Sequence, residues 1–167
     1  SLHLDGWGDL WDGIGSGKEG EELRLVMKDS RIGAYGVTGL ILAFGLWTSM
    51  LSSVSRPEIF AACSVSAASG RFASCSAALR GSYPWEKGMA KGWVDTFTGY
   101  DLFTAVICLL IFMPFGPIKW FFSASAALLT GFGAAAWMNS RLGGVNGDVL
   151  GASAVAAEIV SLAVFSL

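Results

Sequence analysis

The sequence predicts an all-α fold, a polytopic bundle of transmembrane helices. Three observations carry that prediction. Only 14% of the 167 residues are charged, against about 25% in soluble domains. The charges crowd into residues 1–31, 80–101 and 139–148, leaving runs between them close to the length that crosses a bilayer. Glycine occurs 22 times, among frequent Ala and Ser. Small residues are what helices in lipid use to pack, because close contact must replace the missing hydrophobic drive.

The elements follow in order. Residues 1–32 are polar, Gly-rich and acidic, holding Asp5, Asp9 and Asp12, then Lys18–Glu22, Arg24, Lys28, Asp29 and Arg31. A first span covers 33–53, with Leu40, Ile41 and Leu42 at its centre. Arg56-Pro57-Glu58 marks a turn. A second, weaker span covers 58–79 and is interrupted by Gly70-Arg71. Residues 80–100 read as a polar loop. A third span covers 101–117, broken by Pro114-Phe115-Gly116-Pro117, and a fourth covers 118–138. A loop over 139–147 leads to a fifth span, 148–167, whose one acid is Glu158. The expected organisation is a single membrane domain over 1–167, with about five transmembrane helices. The chain opens on Ser-Leu-His rather than Met, with no signal-peptide pattern, and the expectation is that an N-terminal part is missing.

Basic residues outside the spans are distributed unevenly. Lys18, Arg24, Lys28, Arg31, Arg80, Lys87, Lys91 and Arg141 fall on one side, and Arg56 and Lys119 on the other. The positive-inside rule puts the first group in the cytoplasm. Asp5, Asp9, Asp12, Asp29 and Asp148 share that face. The net charge of −2 offers no footprint for nucleic acid. Cys63, Cys75 and Cys108 have no metal-ligand spacing and read as small apolar residues.

Five features bear on chemistry. On a helix, Asp5, Asp9 and Asp12 share one face, with Cβ atoms about 5–6 Å apart. Carboxylates so spaced either hold Mg²⁺ or Mn²⁺, hard cations that prefer oxygen, or form a solvated acidic face. Gly6, Gly8 and Gly13 disfavour a simple surface helix. Lys28 and Arg31, at the membrane boundary, pair with phosphate or anchor the chain. Arg71 at membrane depth costs roughly 2.5 kcal/mol or more unless it serves a site or snorkels to the interface. The Gly144 and Gly147 region is a Gly-rich loop that offers backbone N–H groups to an anion, and Asp148 behind it is an N-cap or a metal ligand. His3, the one histidine, stands beside the acids as a base, a ligand or a structural residue.

Taken together, the segments resemble the cobalamin synthase family, the adenosylcobinamide-GDP ribazoletransferases. The matching residues are His3-Leu-Asp5-Gly6 with Asp9 and Asp12-Gly13, then Lys28-Asp29-Ser30-Arg31-Ile32-Gly33-Ala34-Tyr35-Gly36. Gly70-Arg71 with Ala73 follows, then Gly143-Gly144-Val-Asn-Gly147-Asp148 with Leu150-Gly151-Ala152. Four motifs in order cover almost the whole chain. The chain departs from the family at Trp85, where the family stretch has Arg, and at Val155, where a second acid often stands.

The resemblance implies an inner-membrane, Mg²⁺-dependent transferase of bacteria or archaea, working in the last steps of vitamin B12 synthesis with its site facing the cytoplasm. Its substrates would be adenosylcobinamide-GDP and α-ribazole or its phosphate, with GMP released, and membrane lipid would surround it. The roles expected from charge are these. Asp5, Asp9, Asp12 and Asp148 hold Mg²⁺. Arg31, Arg71 and Arg141 neutralise phosphates, with Lys28, Gly144 and Gly147 binding the phosphate-bearing ligand. Asp29 is a ligand or a base, and His3 a further catalytic candidate. Asp5, Asp9, Asp12, Asp29, Arg71 and Asp148 are expected around one cavity. Two rivals stand beside this reading. One is a CDP-alcohol phosphotransferase, whose motif has Ala-Arg where Gly8-Asp9 stands here. The other is a cation transporter, which needs acids deeper than any here but Glu158.

Overall fold

The computed structural model describes residues 2–167, and among them it is all helical. The helices are α1 (Leu2–Ser16), α2 (Gly20–Met27), α3 (Ala34–Ser53), α4 (Ile59–Arg80), α5 (Lys91–Thr96), α6 (Gly99–Leu110), α7 (Pro117–Leu142) and α8 (Gly147–Ser166). The expected spans correspond to α3, α4, α6, α7 and α8. Of these, α3, α7 and α8 are long and apolar enough to cross a membrane.

Three boundaries differ from the sequence reading. The third span shrinks to the 12-residue α6, about 18 Å long, because the turn at Met113–Phe115 and Gly116 ends it before Pro117 opens α7. α7 runs four residues past the expected 138, to Leu142, where Gly143 (φ 76°) takes the left-handed C-terminal position. The supposed polar loop 80–100 contains α5, and the acidic segment 1–32 folds into α1 and α2.

α8 is the most enclosed of the long apolar helices, with 67% of its apolar window buried against 17% in α3. Its packing against α4 relies on small residues. Ser66 Oγ donates to the carbonyl of Glu158 at 2.9 Å, and Ser74 Oγ to that of Leu150 at 2.8 Å. α7 approaches α4 so closely that a Cβ on Gly131 would stand 2.2 Å from the Ala73 carbonyl oxygen. This is the close backbone contact that small residues permit in lipid. The outer faces are apolar: Ile41, Phe103, Ile111, Phe121 and Leu129 are all exposed. At one end of the bundle, Leu10, Leu23, Met27, Met138, Leu142, Val149 and Leu150 form a core that binds α1 and α2 to α7 and α8. Each large apolar side chain buried there contributes about 1.5–3 kcal/mol, so the acidic segment is held to the bundle.

Candidate active site

α1 has two faces. Gly6, Gly8, Leu10 and Gly13 are buried, whereas none of the three acids is. A Cβ on Gly6 would stand 2.7 Å from the Cα and the carbonyl oxygen of Asp148. The start of α8 therefore lies directly on α1. Trp7 Nε1 donates to the Gly39 carbonyl at 2.8 Å, which ties the opposite flank of α1 to α3.

The three aspartates of α1 are not equivalent. Asp12 accepts the backbone N–H of Gly33 at 2.7 Å through Oδ2 and that of Gly36 at 2.8 Å through Oδ1. It thus caps the start of α3, supplying from another helix what an N-cap side chain supplies locally. Asp5 is exposed and Asp9 is half-buried. Burial pushes Asp9 up to about 7, and the neighbouring charges of Asp148, Asp5 and Asp12 push it the same way.

Asp148 sits in the first turn of α8. The N-cap, however, is Asn146, whose Oδ1 accepts the N–H of Val149 at 3.0 Å. Asn146 also donates from Nδ2 to Asp148 Oδ2 at 2.7 Å. The N-cap reading of Asp148 is therefore corrected, because the cap lies two residues earlier. The carboxylate stays in the first helical turn, where the helix dipole favours a negative charge.

Of the six residues expected around one cavity, five line two separate ones, and Asp12, tied to the start of α3, lines neither. The acidic cavity, about 590 Å³, is bordered by Asp5, Asp9, Lys28, Asp29 and Ser30. The second cavity, about 540 Å³, is bordered by His3, Arg71, Asp148, Gly147 and a set of aromatic side chains. Leu2 borders both. The partition is the Gly6–Asp148 contact, which lets Asp148 line one cavity while its charge reaches Asp9 in the other.

The cations fall into three groups. Asp29 and Arg31 pair with each other: Arg31 donates to Asp29 from its backbone N–H and Nε at 3.0 Å and from Nη2 at 2.7 Å. These bonds hold the Asp29 carboxyl down to about 2. The Arg31 side chain is 86% exposed. Arg71 is tied elsewhere, donating from Nη1 to Glu158 Oε1 on α8 and to the Ala67 carbonyl. Gly70 makes room for this pair, since a Cβ there would stand 2.8 Å from Glu158 Cγ. Burial is the main cause that lowers His3 below the usual imidazole range, with Arg71 adding to it.

Arg141 borders neither cavity. Its guanidinium lies 5.5 Å from the centre of the Trp137 ring and 3.9 Å from Glu19. Gly144 borders neither cavity either. A Cβ on it would stand 2.3 Å from the Ser82 carbonyl oxygen, so the bare residue lets the two loops meet. Lys28 borders the acidic cavity and also lies 5.1 Å over the Trp85 ring.

Sequence reading missed Tyr83, Trp85, Met89, Trp93 and Asn146 as lining residues, and Glu158 as the partner of Arg71. A signal was present. Five aromatics in the stretch 80–100, otherwise read as a polar loop, are out of place unless something covers them.

Asp5, Asp9 and Asp148 suit a hard divalent cation by chemistry. All are oxygen donors, and the charges of Asp148 and Asp5 add to the cost of ionising Asp9. Among the described residues, no three His, Cys, Asp or Glu side chains are already arranged to hold a metal.

A family model described as cobalamin-5-phosphate synthase matches residues 1–166. An adenosylcobinamide-GDP ribazoletransferase of Rhizobium etli (strain CIAT 652) is 35% identical over 177 residues, covering 97% of this chain and 66% of the relative. One of the same description from Bradyrhizobium diazoefficiens is 32% identical over 166 residues, covering 98% and 64%. Another, from Acetivibrio thermocellus, is 31% identical over 153 residues, covering 90% and 62%. The chain thus spans about two thirds of the length of the curated relatives it matches. No solved structure matches it.

Proposed function

Because the chain belongs to the cobalamin-5-phosphate synthase family, we propose that it transfers α-ribazole, or its phosphate, onto adenosylcobinamide-GDP. The products are GMP and adenosylcobalamin or its phosphate. The carrying observation is the packing of Gly6 on the Asp148 backbone, which brings Asp9 on α1 within the field of Asp148 on α8, beside two cavities large enough for ligands. Acids from two distant segments of the chain are packed together at the cost of mutual repulsion, which a bound cation would relieve.

In the reaction, a free ribose hydroxyl oxygen of the acceptor forms a bond to the phosphorus on the corrinoid side of the diphosphate. The P–O bond to GMP breaks and GMP leaves with its electron pair. Asp5, Asp9 and Asp148 would hold Mg²⁺, with Asp12 behind them fixing α1 to α3. When bound, Mg²⁺ supplies charge stabilisation at the phosphoryl oxygens. Lys28, beside the acidic cavity, neutralises the diphosphate, and Arg71 balances charge in the second cavity. The hydroxyl proton goes to His3, which borders the same cavity as Arg71 and Asp148. Asp29 is less suited to take it, since Arg31 already occupies both its oxygens. Burial of the apolar outer faces in the lipid of an inner membrane, with the two cavities facing the cytoplasm, agrees with the distribution of basic residues.

The test is GMP release from adenosylcobinamide-GDP by the full-length protein, with and without α-ribazole, across a Mg²⁺ titration. Release that needs both supports the reading. Release of CMP from a CDP-alcohol, without response to the corrinoid, would transfer the chain to the phosphotransferase reading.

A further inference from the structure

The two cavities differ in chemistry. The acidic one mixes carboxylates with Lys28 and Ser30. The other carries Tyr83, Trp85, Trp93 and Met89 from α5 and the segment before it, and its lining also holds polar groups from α1, α4 and α8, His3, Arg71 and Asp148 among them. Trp93 and Met89 stay substantially exposed although both are apolar. Large apolar side chains held open around a cavity are the usual lining of a small-molecule site.

These rings are fixed in place. Tyr83 and Trp85 meet edge to face, with centroids 5.8 Å apart and an interplanar angle of 88°. The Arg24 guanidinium and the Lys28 ammonium lie 4.9 and 5.1 Å from the Trp85 centroid, which immobilises that ring through cation–π attraction. Trp93 packs edge to face on Phe97 at 5.3 Å. The backbone itself is tied: the Tyr83 N–H donates to Asp95, and the Val145 N–H donates to the Ser82 carbonyl at 2.8 Å. Ordering three aromatic side chains before a ligand arrives removes entropy that binding would otherwise lose.

A planar base stacks on aromatic faces regardless of its edge pattern, and Arg71, Ser74, Asn146 and Asp148 in the same lining leave hydrogen-bonding groups for an attached sugar. We propose that this cavity is the acceptor-nucleoside site. It takes a planar base among Tyr83, Trp85 and Trp93, and directs the attached ribose toward Arg71 and Asp148. The acceptor hydroxyl is then delivered at the Gly6–Asp148 partition, next to the acidic cavity that takes the diphosphate. The inference rests on the ribazole-transfer reading for the identity of the nucleoside, but the site itself is defined by the aromatic wall.

The experiment uses the full-length protein in detergent and measures two quantities separately. One is equilibrium binding of α-ribazole alone, and the other is steady-state GMP release. Trp93→Ala should weaken α-ribazole binding roughly 5- to 100-fold, the range of one lost stacking contact. Trp93→Phe should restore most of it. KM for adenosylcobinamide-GDP should stay within about twofold of wild type, which also shows that the variant is folded. Unchanged α-ribazole binding in Trp93→Ala, or a rise confined to the KM of adenosylcobinamide-GDP, overturns the assignment. If the wild type binds α-ribazole in a Trp93-dependent way yet releases no GMP, the site stands and the reaction reading falls. A wild type that binds no α-ribazole overturns the site assignment, and the reaction reading falls with it only if GMP release also fails to respond to α-ribazole.

Discussion

Gly6 lies against the backbone of Asp148, so that a Cβ placed on it would stand 2.7 Å from the Asp148 Cα. This contact joins the acidic helix α1 to the first turn of α8 and brings two acids far apart in sequence, Asp9 and Asp148, into one field. Gly6→Ala should therefore push the helices apart, destabilising the protein by about 1–3 kcal/mol and lowering turnover at least about tenfold. Gly8→Ala is the control. Its Cβ would meet only the Ile32 and Leu40 side chains, at 3.5 and 3.9 Å, ordinary contacts. Thermal unfolding and GMP release of both variants check the pair; equal tolerance would show that the contact is not needed.

Asp9→Asn and Asp12→Asn should separate charge from scaffolding. Asp12 accepts two N–H groups of α3, one on each oxygen. An Asn there keeps one acceptor and turns a donor toward the second N–H, costing about 1–3 kcal/mol. Asp9→Asn should leave stability intact or improved, because it removes a charge that Asp148, Asp5 and Asp12 repel, yet nearly abolish Mg²⁺-dependent turnover. Unfolding midpoints and a Mg²⁺ titration read the two effects. Near-wild-type turnover by Asp9→Asn at saturating Mg²⁺ would remove Asp9 from the metal site.

The raised pKa of Asp9 sets a direction for pH dependence. Its folded value is about 7 against 3.8 unfolded, so between these the folded state keeps a proton that the unfolded chain has lost. Its contribution to stability is present below about pH 4 and is lost as pH rises through about 7. Screening at this half-open position holds the effect to about 1 kcal/mol. Without divalent cation, wild type should lose more stability than Asp9→Asn between pH 5 and pH 8, and Mg²⁺ should restore wild type alone at pH 8. Parallel pH profiles for the two proteins would contradict this.

The Arg71–Glu158 pair joins α4 to α8 with unequal burial, the Arg side chain 59% exposed and the Glu 17%. Removing either partner strands the other, and the more enclosed Glu suffers more. Arg71→Ala should destabilise by about 2–4 kcal/mol, and Glu158→Gln by less, because the amide still accepts one hydrogen bond. Arg71→Lys should keep much of the stability and lose much of the rate, since a point charge does not reproduce a planar fork. A double-mutant cycle on unfolding midpoints, alongside GMP release, separates the two roles.

The bundle was legible in the sequence because lipid imposes a one-dimensional rule. Backbone polar groups must be satisfied within each span, so spans are helices with few charges, and α3, α4, α7 and α8 appear nearly where the uncharged runs lie. The end of α6 was less legible, since Pro114, Gly116 and Pro117 permit a break without saying which residue closes the helix. The acids of α1 were also legible, because spacings of three and four residues fix a shared helical face whatever surrounds it.

What only the tertiary structure decided is which partner each charged group meets. Nothing local distinguishes Asp12, which caps α3, from Asp9, four residues after Asp5 on the same helix. The difference is made by Gly33 and Gly36, more than twenty residues later. The partner of Arg71 lies 87 residues away. The aromatic wall around Trp85 and Trp93 looked like an ordinary loop until α1, α4 and α8 closed around it. Helix periodicity is a property of neighbouring residues and can be read from them. Charge pairing and cavity lining depend on distances in space, and these are set by how closely Gly6, Gly70 and Gly144 allow separate segments to approach.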